Sequence, residues 1–210
     1  MPTHVLVADD HQMVRQGLIA ILEREGFKVV GEAADGQKAL QMVEKLHPDV
    51  AVLDLAMPIL NGLDTAREIQ RVSPKTKTIL LTMHTERHYI LEGLRCGAKA
   101  FVMKSHAAED LVRAIREAAR GGTYLSPEVS EAVVEAYRNK IDFPADPLSA
   151  RERQVLQLVA EGKTSKEIAL TLEISVKTAE TYRTRIMGKL DLHETASLVR
   201  YAIRRGLVQP

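Results

Sequence analysis

Residues 50–55 read Val-Ala-Val-Leu-Asp-Leu, a nearly continuous apolar run with one carboxylate at Asp54. Parallel strands that are covered on both faces show such runs, whereas half-exposed strands alternate polar and apolar residues. Four further runs of this kind flank the segment: His4–Ala8, Phe27–Gly31, Thr78–Met83 and Ala98–Met103. The segment therefore predicts one strand of a parallel sheet.

Amphipathic stretches separate the apolar runs. In the first stretch, one helical face carries Val14, Leu18, Ile21 and Leu22, and Gly26 closes it. The other predicted helices are Gly36–Leu46, Gly62–Val72, Glu86–Cys96 and Ala107–Arg120. Five strands that alternate with five helices predict an α/β fold with a doubly wound, five-stranded parallel sheet. In such sheets the functional site lies beyond the carboxyl ends of the strands.

The composition excludes several classes of protein. The 210 residues are 45% apolar and 27% charged, which is close to the globular average and argues against disorder or a coiled-coil rod. No apolar run approaches the ~20 residues that span a bilayer, and no basic region precedes the first apolar stretch as in a signal peptide. The single cysteine, Cys96, excludes an intramolecular disulfide and a cysteine-based zinc cluster. We therefore expect a cytoplasmic protein.

The pattern changes after Gly122. A helix is expected from Ser126-Pro127 to about Asn139, and the proline-rich run Phe143–Pro147 cannot continue it. The net charge also changes, from −3 over residues 1–147 to +4 over residues 148–210. We expect domains at 1–122 and 148–210, joined by a helix and linker at 123–147.

Polar residues gather where the predicted strands end. Asp9 and Asp10 follow the first strand, Asp54 closes the third, Thr82 the fourth and Lys104 the fifth. Three adjacent carboxylates repel one another, and a hard divalent cation such as Mg²⁺ removes that conflict. Lys104 and Thr82 are suited to phosphoryl oxygens. The set predicts that Asp54 acts as a nucleophile and forms an aspartyl phosphate.

Residues 1–122 resemble a two-component receiver domain. The motifs are Val-Ala-Asp9-Asp10-His, Val-Leu-Asp54-Leu-Ala-Met-Pro58 with Gly62, Leu-Thr82-Met-His, and Gly97-Ala-Lys-Ala-Phe-Val-Met-Lys104. The resemblance implies a flavodoxin-like fold and phosphorylation of Asp54 from a phosphohistidine on a sensor histidine kinase. It also implies that Asp9, Asp10, Asp54 and the carbonyl of Ala56 hold Mg²⁺. Phe101 matches the switch aromatic that turns inward when the threonine, here Thr82, moves to the phosphoryl group.

Two positions depart from the common receiver pattern. Ser105 stands where many receivers have proline, which puts a cis peptide bond there in doubt. Met83 stands where many have a small residue, and a bulky thioether there is expected to restrict access to Asp54. We therefore expect slow loss of the phosphoryl group to water.

The last 63 residues contain only helical signals. Capping boxes begin at Ser149 and Thr164, and Ser175 caps a third helix through Leu190. Two capped helices around Gly162, followed by a third helix, fit a helix-turn-helix whose recognition helix is Val176–Leu190. A fourth helix is expected over Glu194–Arg205. Periodicity alone equally fits an all-α packing domain with a solvated basic face.

The predicted recognition helix has two opposite faces. Val176, Ala179, Ile186 and Leu190 trace an inward face, and the outer face carries Glu180, Thr181, Thr184 and Gly188. Lys177, Arg183, Arg185 and Lys189 surround the outer face as partners for DNA phosphates.

Residues 148–208 resemble the LuxR-type helix-turn-helix. The matching segments are Leu-Ser-Ala-Arg-Glu-Arg-Gln-Val-Leu-Gln-Leu-Val-Ala-Glu-Gly, Lys166-Glu-Ile-Ala-Leu-Thr-Leu, Ile-Ser-Val-Lys-Thr-Ala-Glu-Thr-Tyr-Arg and Tyr-Ala-Ile-Arg-Arg-Gly-Leu-Val. The resemblance places Glu180, Thr181 and Thr184 near base edges, and we hypothesise that Glu180 selects a C·G pair. The full predicted DNA-binding set is Lys163, Ser175, Lys177, Thr178, Glu180, Thr181, Arg183, Thr184, Arg185 and Lys189.

The two domains together resemble a NarL/FixJ-type response regulator. This resemblance implies a non-enzymatic transcription regulator that an aspartyl phosphate shifts towards a DNA-binding form, with a homodimer expected when it is phosphorylated. The predicted helix at Glu194–Arg205 fits a dimer element and simple core packing equally well. Dimer contacts through receiver helix 1, or through receiver helices 4 and 5, are a further alternative. Two other readings stay open: a constitutive DNA-binding protein whose receiver only dimerises, and a Mg²⁺-dependent phosphotransferase.

Overall fold

A computed structural model of the chain describes residues 2–83, 87–138 and 146–208. The chain divides into two compact units, with the main boundary between residues 142 and 143. The strands are β1 His4–Ala8, β2 Lys28–Ala33, β3 Val50–Asp54, β4 Lys77–Thr82, β5 Ala100–Met103 and β6 Tyr124–Leu125. The helices are α1 Gln12–Arg24, α2 Gly36–Leu46, α3 Gly62–Val72, α4 Arg87–Arg95, α5 Ala107–Ala119, α6 Pro127–Arg138, α7 Ala150–Ala160, α8 Ser165–Thr171, α9 Val176–Leu190 and α10 Thr195–Arg204.

The first unit is a parallel sheet with the strand order β2-β1-β3-β4-β5-β6. The chain runs outward from β1 to β2 and then returns to place β3 on the other side of β1. The order therefore reverses between β1 and β3, which is where doubly wound sheets bind ligands. The predicted flavodoxin-like α/β class is confirmed.

Alternate residues of each strand enter two separate apolar cores, one on each face of the sheet. In β1, Leu6 packs with residues of α2, α3 and α4, whereas Val5 packs with residues of α1 and α5. In β3, Leu53 belongs to the same core as Leu6, and Val52 belongs to the same core as Val5. Both faces of these strands are buried in apolar cores, which explains the continuous apolar runs in the sequence.

The sheet has a sixth strand that the sequence analysis missed. Tyr124 and Leu125 pair in parallel with Ala100 and Phe101, and the Tyr124 hydroxyl donates to Asp110 Oδ1 at 2.7 Å. A two-residue strand is too short to produce a periodic signal. The sheet thus extends past residue 122, where the first domain was expected to end, and the count of five strands was one too low.

Residues 146–208 of the second unit form helices and the turns between them, as expected. Helices α7 to α10 enclose their own apolar core, with Leu156, Ile168, Ile186 and Leu198 fully buried. Helix α6 belongs to the first unit, where its Val129 joins the core beneath α4. Part of the expected linker, residues 139–145, lies outside the described residues.

Candidate functional site

An ion cluster lies at the carboxyl ends of β1, β3 and β5. The ammonium nitrogen of Lys104 is 2.7 Å from Asp9 Oδ2 and 2.8 Å from Asp54 Oδ1. Asp9 and Asp54 are buried, and the Lys104 side chain is only 12% exposed. The structure therefore brings these three predicted residues together in one pocket.

Burial and charge act against each other in this pocket. Burial raises the pKa of Asp54, Lys104 lowers it, and the neighbouring Asp9 and Asp10 raise it again, so that it stays above its ordinary value. Burial lowers the pKa of Lys104, but Asp54 and Asp9 more than compensate and raise it above its ordinary value. Lys104 is thus firmly cationic, and Asp54 is more basic than an exposed aspartate.

The acidic residues have the chemistry of a site for a hard cation. The ligand atoms of Asp9, Asp10 and His11 all lie within 4.8 Å of one another, and His11 Nδ1 is 2.7 Å from Asp10 Oδ1. Asp9 and Asp54 share the single ammonium of Lys104, and the charge of Asp10 also acts on Asp54, so that the carboxylates outnumber the lysine. Mg²⁺ prefers carboxylate oxygens together with water and phosphate. The residues present therefore fit Mg²⁺.

The predicted switch residues are both buried. Thr82 is the last residue of β4, one position beyond the residue that pairs with Asp54 on β3. Phe101 is fully buried in the core between the sheet and α4. A Cβ on Gly93 of α4 would lie 2.0 Å from Phe101 Cζ, so that the ring packs directly on the helix backbone. The role of Gly93 was not predicted, because its contact partner is in a different element.

The two departures from the receiver pattern have different outcomes. The peptide bonds of the described residues are all trans, including the one before Ser105. Met83, which is expected to restrict access to Asp54, is 64% exposed. Asp54 itself is buried, which limits the access of water to its carboxylate.

The loop after Asp54 is held by contacts with the first turn of α3. Gly62 N donates to Leu55 O at 3.0 Å, and a Cβ on Gly62 would lie 2.2 Å from the carbonyl oxygen of Asp54. Asn61 caps α3 by accepting from Asp64 N at 2.9 Å. Any side chain at position 62 would displace the backbone of the predicted phosphoacceptor. Asn61 was not among the predicted residues, although an asparagine before Gly62 is a capping signal.

In the second unit, three capped helices form the predicted helix-turn-helix. Ser149 and Glu152 make one capping box, Thr164 and Glu167 make another, and Ser175 accepts from Thr178 N at 3.0 Å. The guanidinium of Arg151 on α7 donates to Leu172 O at the end of α8, at 2.8 Å. These contacts fix where α8 and α9 begin, as the sequence predicted.

The outer face of α9 is solvent-exposed. It carries Glu180, Thr181, Thr184, Lys177 and Arg185, whereas Arg183 is half-buried. Lys163 and Ser175 are exposed at the turns that lead into α8 and α9, and Thr178 is exposed in the first turn of α9. The hydroxyls of Thr181 and Thr184 donate to carbonyls one turn earlier, so their oxygens still present lone pairs outward.

One expectation for α9 needs correction, and one residue of the predicted DNA-binding set has a partner within the unit. Val176 is exposed, because it lies in the first turn, and half-buried Tyr182 and Met187 contact the core instead. Lys189 was expected to bind DNA phosphate, but its ammonium lies 2.7 Å from Glu152 Oε2 on α7. Glu152 is buried, and the ion pair therefore joins two helices of the unit.

Within the described residues, no helix is long and apolar enough to cross a membrane.

Residues 5–116 match the family model of the response regulator receiver domain, and residues 146–202 match that of bacterial regulatory proteins of the LuxR family.

The similarity to known proteins extends along the chain. The oxygen regulatory protein NreC of Staphylococcus carnosus is 39% identical over 97% of this chain and 98% of its own length. The response regulator UvrY of Escherichia coli K12 is 36% identical over 97% of this chain and 95% of its own length. The structure of the response regulator RcsB in complex with DNA is 31% identical, with a TM-score of 0.61, and covers 96% of this chain and 98% of its own.

Proposed function

Because the chain belongs to the LuxR-type two-component response regulators, we propose that phosphorylation of Asp54 by a sensor histidine kinase controls its binding to double-stranded DNA. Members of this family are transcriptional regulators and not enzymes. The observation that carries the proposal is the ion cluster in which Lys104 contacts both Asp9 and Asp54.

The pocket supports transfer of a phosphoryl group to Asp54. One carboxylate oxygen of Asp54 attacks phosphorus, the new O–P bond forms as the P–N bond of a phosphohistidine breaks, and the imidazole leaves and takes up a proton. Lys104 lies 2.8 Å from Asp54 and would neutralise charge on the transferred group. Thr82 would hydrogen-bond a second phosphoryl oxygen.

The metal site proposed here uses Asp9, Asp10, Asp54 and the carbonyl of Ala56. Mg²⁺ bound there would supply positive charge to the phosphoryl oxygens. Asp9 is buried beside Asp54, whereas Asp10 lies at the rim and is a third exposed. Asp10 is thus the solvent-exposed edge of a site whose other two carboxylates are buried.

The proposed DNA interface is the outer face of α9 with the turn before it. Glu180, Thr181 and Thr184 would face base edges in the major groove. The cations of the predicted set, with the exception of Lys189, would contact phosphates, and the helix N-terminus capped by Ser175 would face the backbone. A DNA partner also implies a cytoplasmic location.

Phosphorylation would act by shifting a population between two receiver conformations, with Thr82 and Phe101 as the switch residues. The active form would be a homodimer. On α10, Leu198 and Ala202 are buried in the core, whereas Val199 and Ile203 are half-buried. Because Val199 and Ile203 are only half-buried, α10 is one candidate for the dimer element. The helices of the receiver are the other candidate.

DNA binding by the full chain tests this proposal. Affinity for a selected site would be measured at fixed salt and Mg²⁺, with and without a small-molecule phosphodonor. Asp54→Asn keeps the shape of the acceptor and removes its nucleophile. We expect tighter binding only with donor and Asp54 together. Equal tight binding in all samples would identify a constitutive regulator instead, and no binding in any sample would refute the DNA interface.

A further inference from the structure

A buried ionic network joins the first turn of α3 to α4. Asn61 and Asp64 are almost fully buried, and Asn61 Nδ2 donates to Asp64 Oδ2 at 3.1 Å. Arg67 Nη1 donates to Asp64 Oδ1 at 2.8 Å, and Arg67 Nη2 donates to Glu92 on α4. The guanidinium therefore bridges carboxylates of two helices.

Each end of this network touches a part of the proposed phosphorylation switch. At one end, Gly62 packs against the backbone of Asp54, in the same helical turn as Asp64. At the other end, Gly93 follows Glu92 and packs against the ring of Phe101. A shift of the loop after Asp54 would thus move Asp64, and a shift of α4 would move the helix backbone that covers Phe101.

We propose that Arg67 is a positioning residue that transmits the state of Asp54 to α4 through the Asp64–Arg67–Glu92 bridge. This inference rests on the proposed phosphorylation of Asp54. The bridge connects Asp54 to α4 and Phe101 through α3. It is therefore separate from the switch in which Thr82 moves to the phosphoryl group.

An arginine is required at this position for geometric reasons. Its planar guanidinium donates along two directions at once, whereas a lysine ammonium is a point charge that follows one carboxylate. Burial lowers the pKa of Arg67, but the neighbouring Cys96, Asp64 and Glu92 outweigh burial and raise it, so that the bridge stays charged. The side chains of Arg67 and Glu92 are about three-quarters buried, which protects the bridge from screening by salt.

Amide hydrogen exchange of the full chain tests this role, with and without Mg²⁺ and beryllium fluoride, which mimics an aspartyl phosphate. The response of the 55–62 loop reports the pocket, and that of Arg87–Arg95 reports α4. In Arg67→Met we expect the ligand-induced change in α4 exchange to fall about fivefold, while the loop response is retained. Arg67→Lys should behave like Arg67→Met, because the lysine keeps the charge but cannot donate to Asp64 and Glu92 at once. Arg71→Met is the matched control, since Arg71 lies one turn further along α3 and pairs with Glu68 at the surface.

The outcomes separate this inference from the proposed function. If the wild type responds in both segments and Arg67→Met responds equally, the transmission role is wrong although phosphorylation stands. Faster α4 exchange in Arg67→Met with an unchanged ligand-induced ratio would show a purely structural bridge and would also overturn it. If the wild type responds in neither segment, both proposals fail. Should Arg67→Met not fold, Glu92→Gln removes the carboxylate charge on the α4 side, together with its pairing to Arg95 within α4, and must give the same loss.

Discussion

Replacing Lys189 by methionine should destabilise the second unit without changing the electrostatic part of DNA binding. The ammonium lies 2.7 Å from Glu152 Oε2, and the Glu152 side chain is only 6% exposed. Breaking a buried ion pair from one side costs ~3–5 kcal/mol. Here Ser149 N still donates to the same carboxylate, and the Lys189 side chain is 44% exposed, so we expect about 1–2 kcal/mol.

This loss should depend on pH with a definite sign. Burial raises the pKa of Glu152, but the hydrogen bonds from Lys189 and Ser149 outweigh burial and hold it below its ordinary value. A carboxylate whose folded pKa is lowered stabilises the fold above its unfolded pKa of ~4.3, and that contribution is lost as the pH falls through the folded pKa. The stability difference between Lys189→Met and wild type should therefore be full at pH 7 and vanish in acid.

Hydrogen exchange of α7 and α9 in the full chain measures this difference within the second unit. A loss of about 1–2 kcal/mol corresponds to about 5-fold to 30-fold faster exchange. Lys177→Met is the matched control on the same helix, because Lys177 is exposed and expected at a DNA phosphate. It should leave exchange unchanged and reduce the slope of log affinity against log salt by ~0.9. If Lys189→Met reduced the salt slope in this way and left exchange unchanged, the ion pair would have no structural role.

Three further results are expected. Glu180→Ala should relax the preference for a C·G pair at one position of the binding site, as measured by selection from random sequences, and unchanged preference at every position would reject the contact. The aspartyl phosphate at the buried Asp54 should persist for minutes or longer in a phosphate-release assay, and a half-life of seconds would contradict limited access of water. Gly93→Ala should cost about 1–2 kcal/mol in urea unfolding, because the new Cβ collides with Phe101 and overpacking outweighs the gain in helix propensity. Gly17→Ala on α1 meets nothing within 4 Å and should stabilise by about 0.5–1 kcal/mol, so an equal effect at both glycines would exclude the collision.

The strands and the acidic pocket were predictable because they depend on local patterns. A continuous apolar run such as Val50–Leu55 indicates a strand with two buried faces, and parallel strands bring their carboxyl ends to one edge. Asp9, Asp54 and Lys104 could therefore be placed together without knowledge of the packing. The two-residue strand β6 has no such pattern and was missed.

The partners of charged side chains were not predictable in the same way. Lys189 and Glu152 are 37 positions apart, and Arg67 and Glu92 are 25 apart, so that only the packing of the helices decides their pairing. On the helix surface alone, Lys189 is indistinguishable from Lys177. Long-range ion pairs of this kind need the tertiary structure, whereas capping boxes are local and were read correctly.

The burial of β3 on both faces determines where movement can occur in the first unit. Strands at the centre of a sheet open only with the largest free energies, so their amides should exchange by global unfolding. The backbone of Asp54 is thus a fixed reference point within the domain. A chemical change at the Asp54 carboxylate must therefore move the structure around the end of β3. That structure consists of the loop after Asp54, the end of β4, and the helices that pack against them.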